Sequence, residues 1–241
     1  MQKLYFISDA HLGLGSKEVE REKENRLVRF LDHIKKDASQ LFIVGDLFDA
    51  WFEYRTVIPK GYHRLFTKLE ELTERGINIH YLAGNHDYWI RDFFRNNLGM
   101  KTYYDAFDIT VNGKKIYIHH GDGLAEKDTG YKVLKKILRN KLSIWLYSWL
   151  HPDLGITLAR TLSKKSRRHT STKDYGEGNS MMRFAEQMIE QGYDYIIMGH
   201  QHLPSCQKLS NGTYVNLGDW IDHNTYAEFD GSHIELRQWE H

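Results

Sequence analysis

Five short clusters of carboxylate, imidazole and amide side chains punctuate the chain. They are Ser8-Asp9-Ala10-His11, Gly45-Asp46-Leu47-Phe48-Asp49, Gly84-Asn85-His86-Asp87, His119-His120-Gly121-Asp122 and Gly199-His200-Gln201-His202. All are hard or borderline metal ligands, and none is a thiolate. That donor set argues against a closed structural zinc site. It suits Mn²⁺, Fe²⁺ or Zn²⁺ in an open, catalytic geometry. Asp9/His11 and His200/His202 are two residues apart, which places both side chains on one face of an extended backbone. The donors are too many for one ion of four to six ligands. Two ions sharing a carboxylate fit better, and such pairs clamp the attacking and leaving oxygens of phosphoryl transfer.

Each cluster directly follows a short apolar run: Leu4–Ser8, Leu41–Gly45, Ile77–Leu82, the run ending at His119, and Tyr195–Met198. Such runs read as buried strands. Ligands at strand ends are where an α/β scaffold places a site. Helical spacing separates the early strands, with Leu27, Phe30, Leu31 and Ile34 on one segment and Leu65, Leu69 and Leu72 on another, closed by Gly76. Asn112-Gly113, Asn211-Gly212 and Asp230-Gly231 are hairpin signals. A further helix is expected over Ser180–Gln191. The chain thus reads as a single α/β domain over 1–241: two sheets face to face, flanked by helices.

A basic, aromatic segment interrupts this plan. Gly130 to His169 holds ten Lys/Arg and one acid, Asp153, although the whole chain is only +1. Leu142–Leu150 adds Trp145, Tyr147 and Trp149. We expect a helical insertion over 130–173. Its apolar faces would take acyl chains and its cations would take phosphates or anionic lipid. The alternative is a helical pair that packs its Trp side on the core and solvates its lysines. With 41% hydrophobic and 27% charged residues the chain is not disordered. The lone Cys206 excludes an intrachain disulfide. The N-terminus lacks a secretory pattern, and no apolar run reaches the length of a membrane span. These features point to a cytoplasmic protein with peripheral contact at the inner membrane. They do not point to a nucleic-acid binder, since the basic charge is confined to one Trp-rich block.

The order D-x-H, G-D-x-x-D, G-N-H-D, H-G-D, G-H-x-H resembles the calcineurin-like metallophosphoesterase superfamily over nearly the whole chain. The resemblance implies a two-sheet β-sandwich flanked by helices and a dinuclear centre. One metal would take Asp9, His11, Asp46 and His202, and the other Asp46, Asn85, His120 and His200. Asp46 would bridge, and a hydroxide between the ions would be the nucleophile. SDAHLG, GDLFDAW, HHGDGLAEKDTGY and the insertion after the H-G-D cluster are similar to the UDP-2,3-diacylglucosamine diphosphatases of lipid A synthesis. That likeness implies hydrolysis of a nucleotide-linked glycolipid at the α-phosphorus, giving UMP and 2,3-diacylglucosamine 1-phosphate, with manganese. The alternative is another metal-dependent phosphoesterase of the superfamily. Substrate contacts carried over by matching are Trp51, Asp128, Tyr131, Ser166, Thr170 and Lys173. His86 stands where members acting on this lipid often carry Arg. In the wider superfamily that His approaches the leaving-group oxygen, held by the carboxylate that ends G-D-x-x-D. We therefore expect an Asp49–His86 catalytic pair.

Overall fold

A computed structural model describes residues 3–124, 129–170 and 177–240. Two sheets form the body. The first has the order β11-β10-β1-β2-β3-β4, with β1 Lys3–Ile7, β2 Ala38–Val44, β3 Asn78–Leu82, β4 Lys101–Tyr103, β10 Thr225–Phe229 and β11 Ile234–Gln238. The second has the order β5-β6-β7-β9-β8, with β5 Phe107–Val111, β6 Lys114–His119, β7 Tyr195–Met198, β8 Ser205–Leu209 and β9 Gly212–Asn216. Strands β1 to β4 pair in parallel, as do β6, β7 and β9. Their C-terminal ends therefore converge.

Period-two alternation sets the layers. Leu4, Phe6, Phe42, Val44 and Leu82 meet Ile116, Ile118, Ile197 and Val215 between the sheets. The alternate residues Tyr5, Ile7, Leu41, Ile43 and Tyr81 face α1 (Lys17–Ile34) and α2 (His63–Glu74). Helix α7 (Glu177–Glu190) covers the second sheet through Met181, Ala185 and Ile189. Ser16 caps α1 by accepting from the Val19 amide. Gly76, at φ +86°, ends α2 as its periodicity predicts, with the Ile77 amide bonding the Leu72 carbonyl at 3.0 Å.

The three hairpins form, but not by one chemistry. Asn112 and Gly113 both take positive φ (51° and 78°), the turn that Asn-Gly favours. Asn211-Gly212 does not, because Gly212 opens β9 instead. A Cβ there would lie 2.8 Å from the Asp194 carbonyl, so close approach selects the glycine.

After the short helix α3 (Phe93–Asn96), the insertion consists of α4 (Thr129–Leu138), α5 (Lys141–Tyr147) and α6 (Pro152–Thr170), followed by α7. Trp145 and Trp149 are 54% and 74% exposed, with their rings edge-to-face at 5.8 Å, so they do not pack on the core. Tyr147 is the aromatic of this segment that packs on the body, against Phe52 (4.8 Å) and Trp89 (4.6 Å). Among the described residues no helix is long and apolar enough to cross a membrane.

Within the sandwich, His80 stacks on Phe42 at 4.5 Å and its Nδ1 meets the Tyr103 hydroxyl at 3.0 Å. Burial, reinforced by Lys101, pushes its pKa down to about 4. The unfolded imidazole takes up a proton below about 6.5 and the folded one does not, so stability is lost as pH falls from about 6.5 toward 4. His80→Phe should remove about 2 kcal/mol of the loss between pH 7 and pH 5, measured by urea denaturation at both pH values. An unchanged pH slope would refute this.

Candidate metal centre

Every sequence-predicted ligand reaches one place, the converging strand ends. Asp9 and His11 follow β1, and Asp46 and Asp49 follow β2. Asn85 and His86 follow β3, His120 follows β6, and His200 and His202 follow β7. Asp9, His11, Asp46 and His120 are all buried. His11 Nε2 lies 3.5 Å from Asp9 Oδ1, 3.7 Å from Asp46 Oδ2 and 3.2 Å from His202 Nε2. His120 Nε2 lies 3.3 Å from Asp46 Oδ2 and 3.2 Å from Asn85 Oδ1. Three groups of donor atoms, each within 4.8 Å of one another, suit a metal ion: Asp9/His11/His202, Asp46/His120/His200 and His11/Asp46/His86. Asp46 belongs to the second and third, and His11 of the first lies 3.7 Å from its Oδ2.

The local backbone is bent to achieve this. Among the described residues seven non-glycine positions have clearly positive φ, and five are ligand candidates: Asp9, His11, Asp46, His200 and His202. Left-handed backbone is costly for such residues and is kept where surrounding structure enforces it. Close approach adds a second constraint. A Cβ on Gly84 would collide with the Asp46 carboxylate, and one on Gly199 with the Ser8 hydroxyl.

Hydrogen bonds orient the donors. His120 Nδ1 bonds the Val44 carbonyl at 2.8 Å. A carbonyl only accepts, so Nδ1 carries a hydrogen and Nε2 is the nitrogen turned toward Asp46 and Asn85. Asp9 Oδ2 accepts from Ser8 and from the His200 amide, whereas the buried Oδ1 has no hydrogen bond. Such an atom, turned toward His11 and His202, is what a cation would satisfy. Asp87 is no ligand. It accepts from the amides of Gly84, Asp46 and Leu47 and from the Tyr81 hydroxyl, tying the loops after β2 and β3 together. Asp219, after β9, holds His223 at 2.9 Å and lies 3.8 Å behind His202 Nδ1.

The charge balance follows from this packing. Burial opposes ionisation of Asp46, yet His120, His86 and His11 hold it well below the usual carboxylate range. Burial likewise opposes a charge on His120, but Asp46 raises it to about 10. Burial, then the Asp46 charge, raises Asp87 to about 6.

The Asp49–His86 pair takes a different form from the one expected. The Asp49 carboxylate is 3.9 Å from His86 Nδ1, and the bond is made by the Asp49 backbone carbonyl at 2.8 Å. The carboxylate instead accepts from the Ser163 hydroxyl of α6 at 3.0 Å, and the same hydroxyl lies 3.1 Å from His86 Nδ1. Ser163, like Lys135 and Arg139, was not singled out by the sequence, where no local pattern marks it. Lys135 and Arg139 pair with the buried Asp122 at 2.7 and 3.1 Å. Arg139 also lies over the Tyr88 ring, 4.1 Å from its centroid.

Beside His86 and Asn85 lies a cavity of about 730 Å³, lined by Trp51, Trp89, Leu134, Leu138, Tyr147 and Leu162 among others. Trp51 borders it, although its ring is almost wholly buried against Phe48 and Phe94. Of the remaining matched positions, Tyr131 falls on α4, and Ser166 and Thr170 on α6. Asp128 and Lys173 lie outside the described residues.

Comparison with known proteins agrees with this geometry. Residues 2–204 match the family described as Calcineurin-like phosphoesterase. The chain is 35% identical to a UDP-2,3-diacylglucosamine hydrolase of Porphyromonas gingivalis, over 99% of this chain and 98% of that one. It is 29% identical to a protein of the same name from Histophilus somni, over 91% and 93% of the two chains. In fold it is similar to an archaeal phosphodiesterase, with a TM-score of 0.52 and 13% identity over 99% of this chain and all of that one.

Asp46→Asn should remove the shared charge and lower bound metal from near two ions per chain to below one, with activity reduced at least about 10³-fold. Metal analysis of the purified variant checks this. Two retained ions would show that Asp46 does not bridge.

Proposed function

The chain belongs to the calcineurin-like phosphoesterase family and is a metal-dependent hydrolase; from that premise we propose that its substrate is UDP-2,3-diacylglucosamine. Water is added at the α-phosphorus, releasing UMP and 2,3-diacylglucosamine 1-phosphate. The observation that carries this reading is the apolar cavity that the insertion builds directly against His86 and Asn85. A Trp- and Leu-lined chamber beside the donors suits the acyl chains of a lipid substrate. Likeness to the P. gingivalis hydrolase, which extends through the insertion, supports the same choice.

Asp9, His11, Asp46 and His202 would hold one divalent ion, and Asp46, Asn85, His120 and His200 would hold the other. Carboxylate, imidazole and amide donors without sulfur favour Mn²⁺, with Fe²⁺ or Zn²⁺ as substitutes. When bound, such ions polarise phosphoryl oxygens and make water nucleophilic near neutral pH. His86 gives its Nδ1 hydrogen to the Asp49 carbonyl, so donation to the departing phosphate oxygen falls to Nε2, which carries the second hydrogen when the ring is an imidazolium. Acyl chains occupy the cavity. Lys135 and Arg139, at its rim, lend positive potential to the diphosphate. The exposed Trp145 and Trp149, with the basic residues of the insertion, rest on an anionic membrane surface.

Incubating the protein with UDP-2,3-diacylglucosamine and Mn²⁺ should release UMP. Turnover of other phosphodiesters without UMP from this lipid would reject the substrate assignment. Replacing Trp145 and Trp149 together by Ser should weaken flotation with vesicles containing anionic phospholipid, and lower turnover of vesicle-borne lipid about tenfold. Hydrolysis of bis(p-nitrophenyl) phosphate should stay within twofold. Equal losses on both substrates would contradict membrane docking by this face.

A further inference from the structure

The insertion does more than wall a cavity. We infer that Ser163 is a positioning residue for His86, so that seating α6 over the cavity and orienting the reactive imidazole are a single event. The inference rests on His86 acting at the leaving group, as proposed above.

The geometry is specific. Ser163 is 8% exposed, and its Oγ lies 3.0 Å from Asp49 Oδ1 and 3.1 Å from His86 Nδ1. The available hydrogens decide the roles. The Asp49 carbonyl and carboxylate can only accept. His86 therefore gives its Nδ1 hydrogen to the carbonyl at 2.8 Å. The Ser163 hydroxyl gives its one hydrogen to Asp49 Oδ1 and turns a lone pair toward the same Nδ1–H. The ring is thus gripped from two directions, by the body through a backbone carbonyl and by the insertion through a hydroxyl. Turning the ring over would set a C–H against both acceptors.

The body alone holds this ring by one carbonyl bond and an edge contact with His11 at 4.9 Å. The His86 side chain is 15% exposed, and the Asp49 carboxylate that was expected to hold it stands 3.9 Å away. Ser163 spans that gap. On α6, Ala159 and Leu162 line the cavity on the same face as Ser163, because residues three and four apart share one side of a helix. An apolar occupant pressing on Ala159 and Leu162 therefore bears directly on the element that carries Ser163. Binding energy from the acyl end of a substrate is in this way spent at the reacting end, which raises turnover rather than affinity alone.

The test is a double-mutant cycle in the full-length, Mn²⁺-loaded protein. Ser163→Ala should lower kcat on UDP-2,3-diacylglucosamine about fivefold to tenfold, the scale of one buried hydrogen bond, with KM within twofold and metal content unchanged. Ser163→Thr, which keeps the hydroxyl, should restore at least half of kcat. In a His86→Ala background the Ser163→Ala change should cost less than twofold, since its target is gone. In metal-free protein carrying ¹⁵N-labelled histidine, the His86 ring N–H signal should be sharp in the parent and broadened in Ser163→Ala. A full Ser163→Ala loss persisting without His86 would overturn the inference, as would a raised KM at constant kcat or an unaltered ring signal. Should the parent release no UMP, the substrate assignment fails, and the same cycle read on bis(p-nitrophenyl) phosphate still decides the role of Ser163.

Discussion

Two carboxylates, Asp9 and Asp46, sit almost wholly out of water, facing imidazoles and little else of positive charge. Burying a charge costs several kcal/mol unless something of opposite sign is close. The fold answers by bringing His11, His120 and His202 within about 4 Å of those oxygens. The raised affinity of His120 and His202 for protons measures the same demand from the other side. Positive charge is required at this point, whether a proton or a divalent ion carries it. Strand order, loop conformation and the glycines around the centre follow from meeting that demand with side chains drawn from both sheets.

The sandwich makes the demand affordable. Parallel strands β1, β2, β3, β6, β7 and β9 end on one side, so loops far apart in sequence meet without long excursions. The dense packing of Phe6, Phe42, Ile118 and Ile197 beneath them fixes those ends. Left-handed backbone at Asp9, His11, Asp46, His200 and His202 is tolerated on such a base. Asp87 locks two of the loops together through their amides, so Asp46 and Asn85 keep their spacing.

Much of this was legible in the sequence, because the ligands follow recognisable apolar runs; their two-residue spacing does not set their faces, since Asp9, His11, His200 and His202 are left-handed rather than extended. The five donor clusters, the two-sheet plan, the hairpin positions and the helices α1, α2 and α7 came from local pattern, and the division of the donors between two ions came from the family resemblance. What remained hidden depends on contacts between distant segments. Ser163 meets Asp49 and His86 across 114 and 77 residues, and nothing near Ser163 marks it. The left-handed conformation of the ligand residues has no signature when the residue is Asp or His rather than glycine. Hydrogen bonding of His86 to a backbone carbonyl is likewise invisible, since every residue has one. Charge counting also merged two populations. Most basic residues of the insertion stand apart from acids in sequence, yet Lys135 and Arg139 turn inward to Asp122. The basic block is therefore partly a set of internal fasteners.

The insertion also changes what kind of solute the protein is. Twelve of the sixteen large apolar side chains exposed among the described residues lie between Val133 and Leu162. Gathered on one end of an otherwise polar body, they make the whole molecule amphiphilic, with the sandwich as head group and the three helices as tail. With the membrane docking proposed above, its encounters with another amphiphile would be set by crowding in two dimensions, and concentration in the bulk would be the wrong variable for describing its rate.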